Sequence, residues 1–122
     1  MAENKQYITQ VQTNGSVMIS EDVVATIIEH AIGEVEGVIG LSTKPGADIA
    51  ELIGKKSWGK GMKITIAEDN ELRVDCNVIV AYGQSVVAVA KAIQDAITAA
   101  LESMTGVKVT SVNVNVCGIS AQ

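Results

Sequence analysis

Hydrophobic residues recur along this chain with two periods, and each change of period marks an element boundary. Val17 and Ile19 alternate with Ser16, Met18 and Ser20, which predicts a short strand over Ser16 to Ser20. Ser20 then stands as an N-cap, and Glu21 and Asp22 put negative charge into the positive first turn of a helix. Val23, Val24, Ile27, Ile28, Ala31 and Val35 form one helical stripe, with Glu29 and Glu34 at or beyond its edges, and Gly37 ends the helix. Val38 to Ser42 reads as a second strand, whereas Thr43 to Gly61 is too long and Gly-rich for a simple connection. Met62 to Ala67 is strand-like, Glu68-Asp69-Asn70-Glu71 is a polar turn, and Leu72 to Tyr82 is the longest alternating run. The last two strands therefore form a hairpin. Leu72, Val74, Cys76, Val78, Val80 and Tyr82 are in phase on one face, while Arg73, Asp75 and Asn77 occupy the other before it turns apolar at Ile79 and Ala81.

The period then returns to helical. Gly83 opens a helix over Ser85 to Met104, whose stripe is Val86, Val89, Ala90, Ile93, Ile97, Ala100, Leu101 and Met104, and Thr105-Gly106 stops it. Val107 and Val109 fall out of phase with Val112, Val114 and Val116, which predicts a turn or bulge near Thr110-Ser111 before a last strand with Asn113 and Asn115 facing outward. The order β-α-β-β-β-α-β describes an α/β protein, a two-layer α+β arrangement with both helices on one face of a mixed sheet. Strand–helix–strand units at both ends favour right-handed crossovers. Residues 1–15 are polar and end in the turn pair Asn14-Gly15, so they read as a mobile N-terminal arm ahead of a single domain over 16–120.

Composition narrows the function more by exclusion than by assignment. The 122 residues are 48% hydrophobic but only 2% aromatic, with no Phe, one Trp and two Tyr, so platforms for stacking nucleic-acid bases are scarce. A net charge of −5 argues against a general phosphate-binding surface, and DNA is not an expected partner. No apolar run reaches the ~20 residues of a transmembrane segment, and Met1 to Gln10 has no signal-peptide core, which points to the cytoplasm. Cys76 and Cys117 lie far apart without metal-ligand spacing, as reduced thiols do, and neither a metal nor a cofactor is expected.

Catalysis needs a nucleophile or base held by partners. The single histidine, His30, falls at the margin of the first helix's stripe, where boundary packing is its ordinary role. A Cys76–His30 pair would require an open thiol, yet Cys76 is in phase with Val74 and Val78 and reads as a buried small hydrophobe. Gly37-Val38-Ile39-Gly40 copies a KH-type GxxG spacing but holds two apolar residues. Gly54-Lys55 copies part of a phosphate loop but has Ile49 where the upstream glycine belongs and Lys56 where Ser or Thr should stand.

Two binding candidates remain. Lys55, Lys56, Trp58, Lys60 and Lys63 sit in one acid-free segment whose local charge of +4 contrasts with −9 elsewhere. Ile49, Leu52 and Ile53 just before it suggest a short amphipathic turn that needs a surface to dock on. Lysines around an indole suit an anionic lipid surface, which allows peripheral membrane association, or an acidic protein patch; a solvated loop with Trp58 packed on its own sheet is the plain alternative. The second candidate is an oligomer contact: either the face of Asn77, Asn113 and Asn115, or the alanine face of the second helix, with Ala88, Ala92, Ala96 and Ala99 away from Lys91, Asp95 and Glu102. Helix propensity alone explains the alanines about as well.

Tyr82-Gly83, Val89-Ala90 and Gln94, then Thr105-Gly106, Val109, Val112-Asn113-Val114, Val116 and Gly118-Ile119, form a pattern that resembles the alkaline shock protein family. Gly15 to Ser20 leading into Glu21-Asp22-Val23-Val24, with Gly37-Val38 after the helix, is similar to that family too, so the resemblance covers about residues 15–120. Its motifs are apolar spacings and glycines rather than catalytic signatures. The resemblance implies an envelope-stress protein of Gram-positive bacteria: a non-enzymatic, self-associating adaptor or scaffold that gathers near the membrane through a membrane-anchored protein partner. A short form without long charged tails also resembles relatives tied to lipid metabolism, so a regulatory subunit of a lipid-metabolic enzyme is the alternative, and an RNA-binding module using the Lys55 to Lys63 loop is a third.

Overall fold

The computed structural model describes residues 7–42, 61–67 and 69–120. In chain order its elements are β1 (Tyr7–Gln12), β2 (Gly15–Ser20), α1 (Glu21–Gly33), β3 (Val38–Leu41), β4 (Met62–Ile66), β5 (Leu72–Ala81), α2 (Val86–Thr105) and β6 (Val109–Ser120). The α+β class and the order from the second strand onward are those the periodicity predicts.

β5 organises the larger sheet. β4 pairs antiparallel with its first half, from Ile66 opposite Leu72 to Met62 opposite Cys76, and β3 pairs antiparallel with its second half, from Leu41 opposite Val78 to Val38 opposite Val80. β3 and β4 thus lie end to end along one edge of β5. β6 runs parallel along the other edge, from Val109 opposite Leu72 to Ser120 opposite Ala81, which makes the sheet mixed. The register slips by one residue at Thr110, where the valine phase changes, and again near Cys117. Thr110 Oγ1 donates to Leu72 O at 3.0 Å across the first slip.

Leu72, Val74, Cys76, Val78 and Val80 are fully buried, and the helices close over this row with Val24, Ile28 and Ile32 from α1 and Ile93, Ile97 and Leu101 from α2. Each such aliphatic side chain contributes roughly 1.5–3 kcal/mol on leaving water. Ser20 caps α1 by accepting from Val23 N–H, and Ser85 caps α2 by accepting from Ala88 N–H. Gly106, at φ +74°, closes α2 with a left-handed cap.

Four expectations need correction. Residues 7–12 of the supposed mobile arm form β1, which pairs antiparallel with β2 through the Asn14-Gly15 turn. Ile8 is fully buried, Asn70 Nδ2 donates to Thr9 O at 2.7 Å while Asn70 Oδ1 accepts from Thr9 N–H, and Gln10 Nε2 donates to Thr105 O. Because β2 takes β1 as its partner in a separate two-stranded sheet, β2-α1-β3 is not a crossover within one sheet. α1 ends at Gly33, four residues before Gly37, and its buried stripe gains Ala25 and Ile32 while Val23 lies outside it, 47% exposed. Met104, placed in the core stripe of α2, is 68% exposed because it stands at an open groove between α1 and α2 rather than in the core.

Gly37 turns the chain from α1 into β3 at φ +97°, and a Cβ there would stand 2.9 Å from Val89 Cγ2 and 3.1 Å from Gln84 Cγ. Val89 is buried and has little room to yield. Gly37→Ala is therefore expected to destabilise the fold by about 2 kcal/mol in urea unfolding, from left-handed strain and overpacking together. Gly33→Ala, where no atom lies within 4 Å of the new methyl, is expected to be neutral or slightly stabilising.

Candidate functional site

The alternation of β5 divides its side chains between two unlike environments. The even positions face the helices and are apolar. The odd positions form a second face with the residues beside them in register: Lys63 and Thr65 from β4, Arg73, Asp75, Asn77, Ile79 and Ala81 from β5, and Ser111, Asn113 and Asn115 from β6. Both described helices pack on the opposite side, so among the described residues this second face carries no helix.

Parallel pairing in register brings like polar residues together on that face. Asn113 Nδ2 donates to Asp75 Oδ1 at 2.8 Å, Asn115 Nδ2 donates to Asn77 Oδ1 at 3.2 Å, and Arg73 Nε donates to Ser111 Oγ at 3.4 Å. Asn113 is exposed and Asn115 half-buried, whereas Asn77 is fully buried and its Nδ2 has no hydrogen-bond partner among the described residues. An orphaned buried amide costs roughly 1–3 kcal/mol, which makes Asn77 the most strained polar contact of the face. The asparagines singled out from the sequence are thus adjacent in space.

The other candidates are scattered or undescribed. Lys63 is half-buried on β4, opposite Asp75, at the edge of the same face. Lys55, Lys56, Trp58 and Lys60, with the amphipathic turn of Ile49, Leu52 and Ile53, lie outside the described residues. Ala88, Ala92 and Ala99 are exposed on α2 and Ala96 is half-buried, with a 3.8 Å ion pair between Lys91 and Asp95 elsewhere on the helix. A feature the sequence reading missed is a groove of about 410 Å³ between α1 and α2, floored by Ile27, Ala31, Ala100 and Met104 and rimmed by Thr26, His30 and Glu34. Residue spacing, which placed Met104 in the core, does not signal it.

Nothing here assembles a nucleophile with a base. His30 sits exposed on the groove rim, while Cys76 is sealed beneath the helices, so the two share no cleft. Burial, with smaller contributions from Asp75 and Cys117, pushes the Cys76 thiol from 9.0 up to about 12. Among the described residues no group of three or more His, Cys, Asp or Glu is placed to hold a metal, and no helix is long and apolar enough to cross a membrane.

What the fold and this face define is a small two-layer α+β protein with helices on one side of a mixed sheet and a polar, hydrogen-bonded surface on the other. The chain belongs to the alkaline shock protein family, which is described by a cell envelope-related function; the family model matches residues 9–121. Among its relatives, the uncharacterized protein YqhY of Bacillus subtilis is 31% identical over 86% of this chain and 77% of its own length. The uncharacterized protein Spy1535 of Streptococcus pyogenes serotype M6 is 35% identical over 88% of this chain and 81% of its own. Among solved structures, a MamM-CTD variant superposes with a TM-score of 0.47 at 19% identity, covering 84% of this chain and 98% of that one.

Two measurements test the thiol assignment. In native protein at pH 8, Cys117, which is half-buried, is expected to react with a maleimide or disulfide reagent well before Cys76. The raised Cys76 pKa also predicts a pH dependence. Between about 9 and 12 the unfolded chain releases this proton and the folded one keeps it, so stability falls as pH rises through that window. Cys76→Ala should flatten the decline in urea titrations at pH 9 to 10.5, apart from its own cavity cost.

Proposed function

We propose that this chain works by binding rather than catalysis, as a self-associating adaptor in cell-envelope homeostasis that is held near the membrane by a protein partner. The observation that carries this reading is the polar sheet face, which no described helix covers. Its accessible part carries the side chains of Arg73, Asp75, Ser111 and Asn113, bonded between β5 and β6 beside the buried Asn77, a composition suited to meeting another polar protein surface. Family membership supplies the connection to the envelope. A sealed, high-pKa thiol and a lone exposed histidine supply no chemistry that would favour an enzyme.

The basic segment fits the same reading. Lys63, its last lysine, lies on the rim of this face, so Lys55, Lys56, Trp58, Lys60 and Lys63 form the contact proposed for an anionic partner surface. Replacing the four lysines with Ser should release the protein from the membrane-associated fraction of its host, each lysine contributing on the order of 1 kcal/mol at most, and added salt should have the same effect. Affinity purification of wild type and variant, with membrane and soluble fractions analysed separately, checks it. Equal recovery of both proteins in the membrane fraction, with the same co-purifying partner, removes the lysine contact. Absence of the wild type from that fraction removes the membrane-proximal adaptor.

A further inference from the structure

β6 is the outer strand of the sheet among the described residues, and between its two register slips at Thr110 and Cys117 it runs as a regular edge without charge or proline. Val109 to Ser120 contains neither a charged residue nor a proline. This stands out in a chain with nine basic and 14 acidic residues and a net charge of −5.

The hydrogen-bond pattern shows which peptide groups the edge presents. Leu72 N–H donates to Lys108 O and Tyr82 N–H to Ser120 O, so the even-numbered residues of β5 turn their peptide groups toward β6. Asn77 and Ala81 turn theirs the other way, to Ser42, Gly61 and Gly37. In a parallel ladder the residue opposite one that bonds across points its own groups away. Val112, Val114 and Val116 stand opposite Val74, Cys76 and Val78, and they therefore present N–H and C=O to the free edge.

α2 protects only the first part of that edge. Glu102 Oε2 accepts from Val109 N–H at 3.3 Å, and Gln94 Nε2 donates to Val112 O at 3.0 Å. Beyond Val112 no side chain among the described residues takes over. Val114 and Val116 are half-buried, and Ile119 is 55% exposed.

We propose that β6 joins β6 of a second copy edge to edge and antiparallel, with Asn115 on the two-fold axis, merging two sheets into one. The inference rests on the self-association proposed above and names the surface that performs it. Among protein elements, another extended strand is the one whose spacing matches a row of alternating N–H and C=O groups. Antiparallel pairing about Asn115 sets Val114 opposite Val116 of the second copy and the reverse, which is about four new hydrogen bonds in an isologous contact. Like then meets like: valines on the helix side, Asn115 against Asn115 on the polar side, extending the Asn77–Asn115 bond across the axis. A second copy is favoured over a charged partner because this strip is where two acidic chains approach with the least repulsion.

Sedimentation of the full chain over a wide concentration range tests the proposal. Wild type is expected to dimerise, Asn115→Lys and Asn115→Asp alone to weaken dimerisation roughly tenfold or more through like charges on the axis, and a mixture of the two variants to recover it. Amide exchange of the unmodified protein provides a readout that no variant's folding can confuse: Val114 and Val116 N–H should exchange fast when dilute and become protected as the dimer forms. A wild-type dimer with both amides unprotected, or with both charge variants associating as tightly as wild type, overturns the β6 contact and leaves self-association standing. A wild type that stays monomeric throughout overturns both.

Discussion

Every strand of the larger sheet hydrogen-bonds to β5, so the geometry of this protein follows from how ten residues distribute their bonds and side chains. The even positions bury a continuous aliphatic row under two helices. The odd positions turn their peptide groups toward β3 and β4, which share one edge in tandem. Asn77 stands at the join: its N–H donates to Gly61 O, and its C=O accepts from Ser42 N–H. Ser42 and Gly61 therefore meet the sheet at one and the same residue of β5. Gly61 fits there because it takes φ +80° and because a Cβ would lie 2.9 Å from Leu41 Cβ and from Ser42 O.

The same alternation produces the polar face. Parallel pairing of β5 with β6 sets Asp75 beside Asn113 and Asn77 beside Asn115, and amide and carboxylate groups at those spacings bond laterally. One Asn77 donor is left unmatched, a cost the core must absorb. Helices on one side and amides on the other make a molecule whose two faces have different uses. The helix side supplies stability, and the amide side supplies the chemistry with which another protein can be met. Cys76 belongs wholly to the first. Its thiol packs as one more aliphatic group in the row, with the raised pKa as the electrostatic consequence of that burial.

β1 and β2 show how weakly polar segments are ordered by tertiary contacts. Gln10, Gln12 and Thr13 give no strand signal, and the hairpin is held by buried Ile8 and by the two-way bond of Asn70 to the backbone of Thr9. Asn70 holds φ +69° in the β4–β5 turn, a conformation Asn tolerates better than most residues. A turn on one side of the molecule thus anchors a hairpin about sixty residues earlier.

Elements whose pattern is local were legible in the residues themselves: the Ser20 cap, the Gly106 stop, the buried row of β5, the bulge at Thr110, the burial of Cys76 and the family. Each follows from period, capping chemistry or glycine geometry acting within a few residues. What the tertiary structure decided depends on pairing between distant segments. It recruited residues 7–12 into a strand, gave β3 and β4 a common edge, exposed Val23, set Met104 beside an interhelical groove, and placed the buried Asn77 against Asn115. Side-chain periodicity reports which way a residue faces; which strand lies beside it is set by hydrogen bonds between segments far apart in the chain, and those leave no periodic trace.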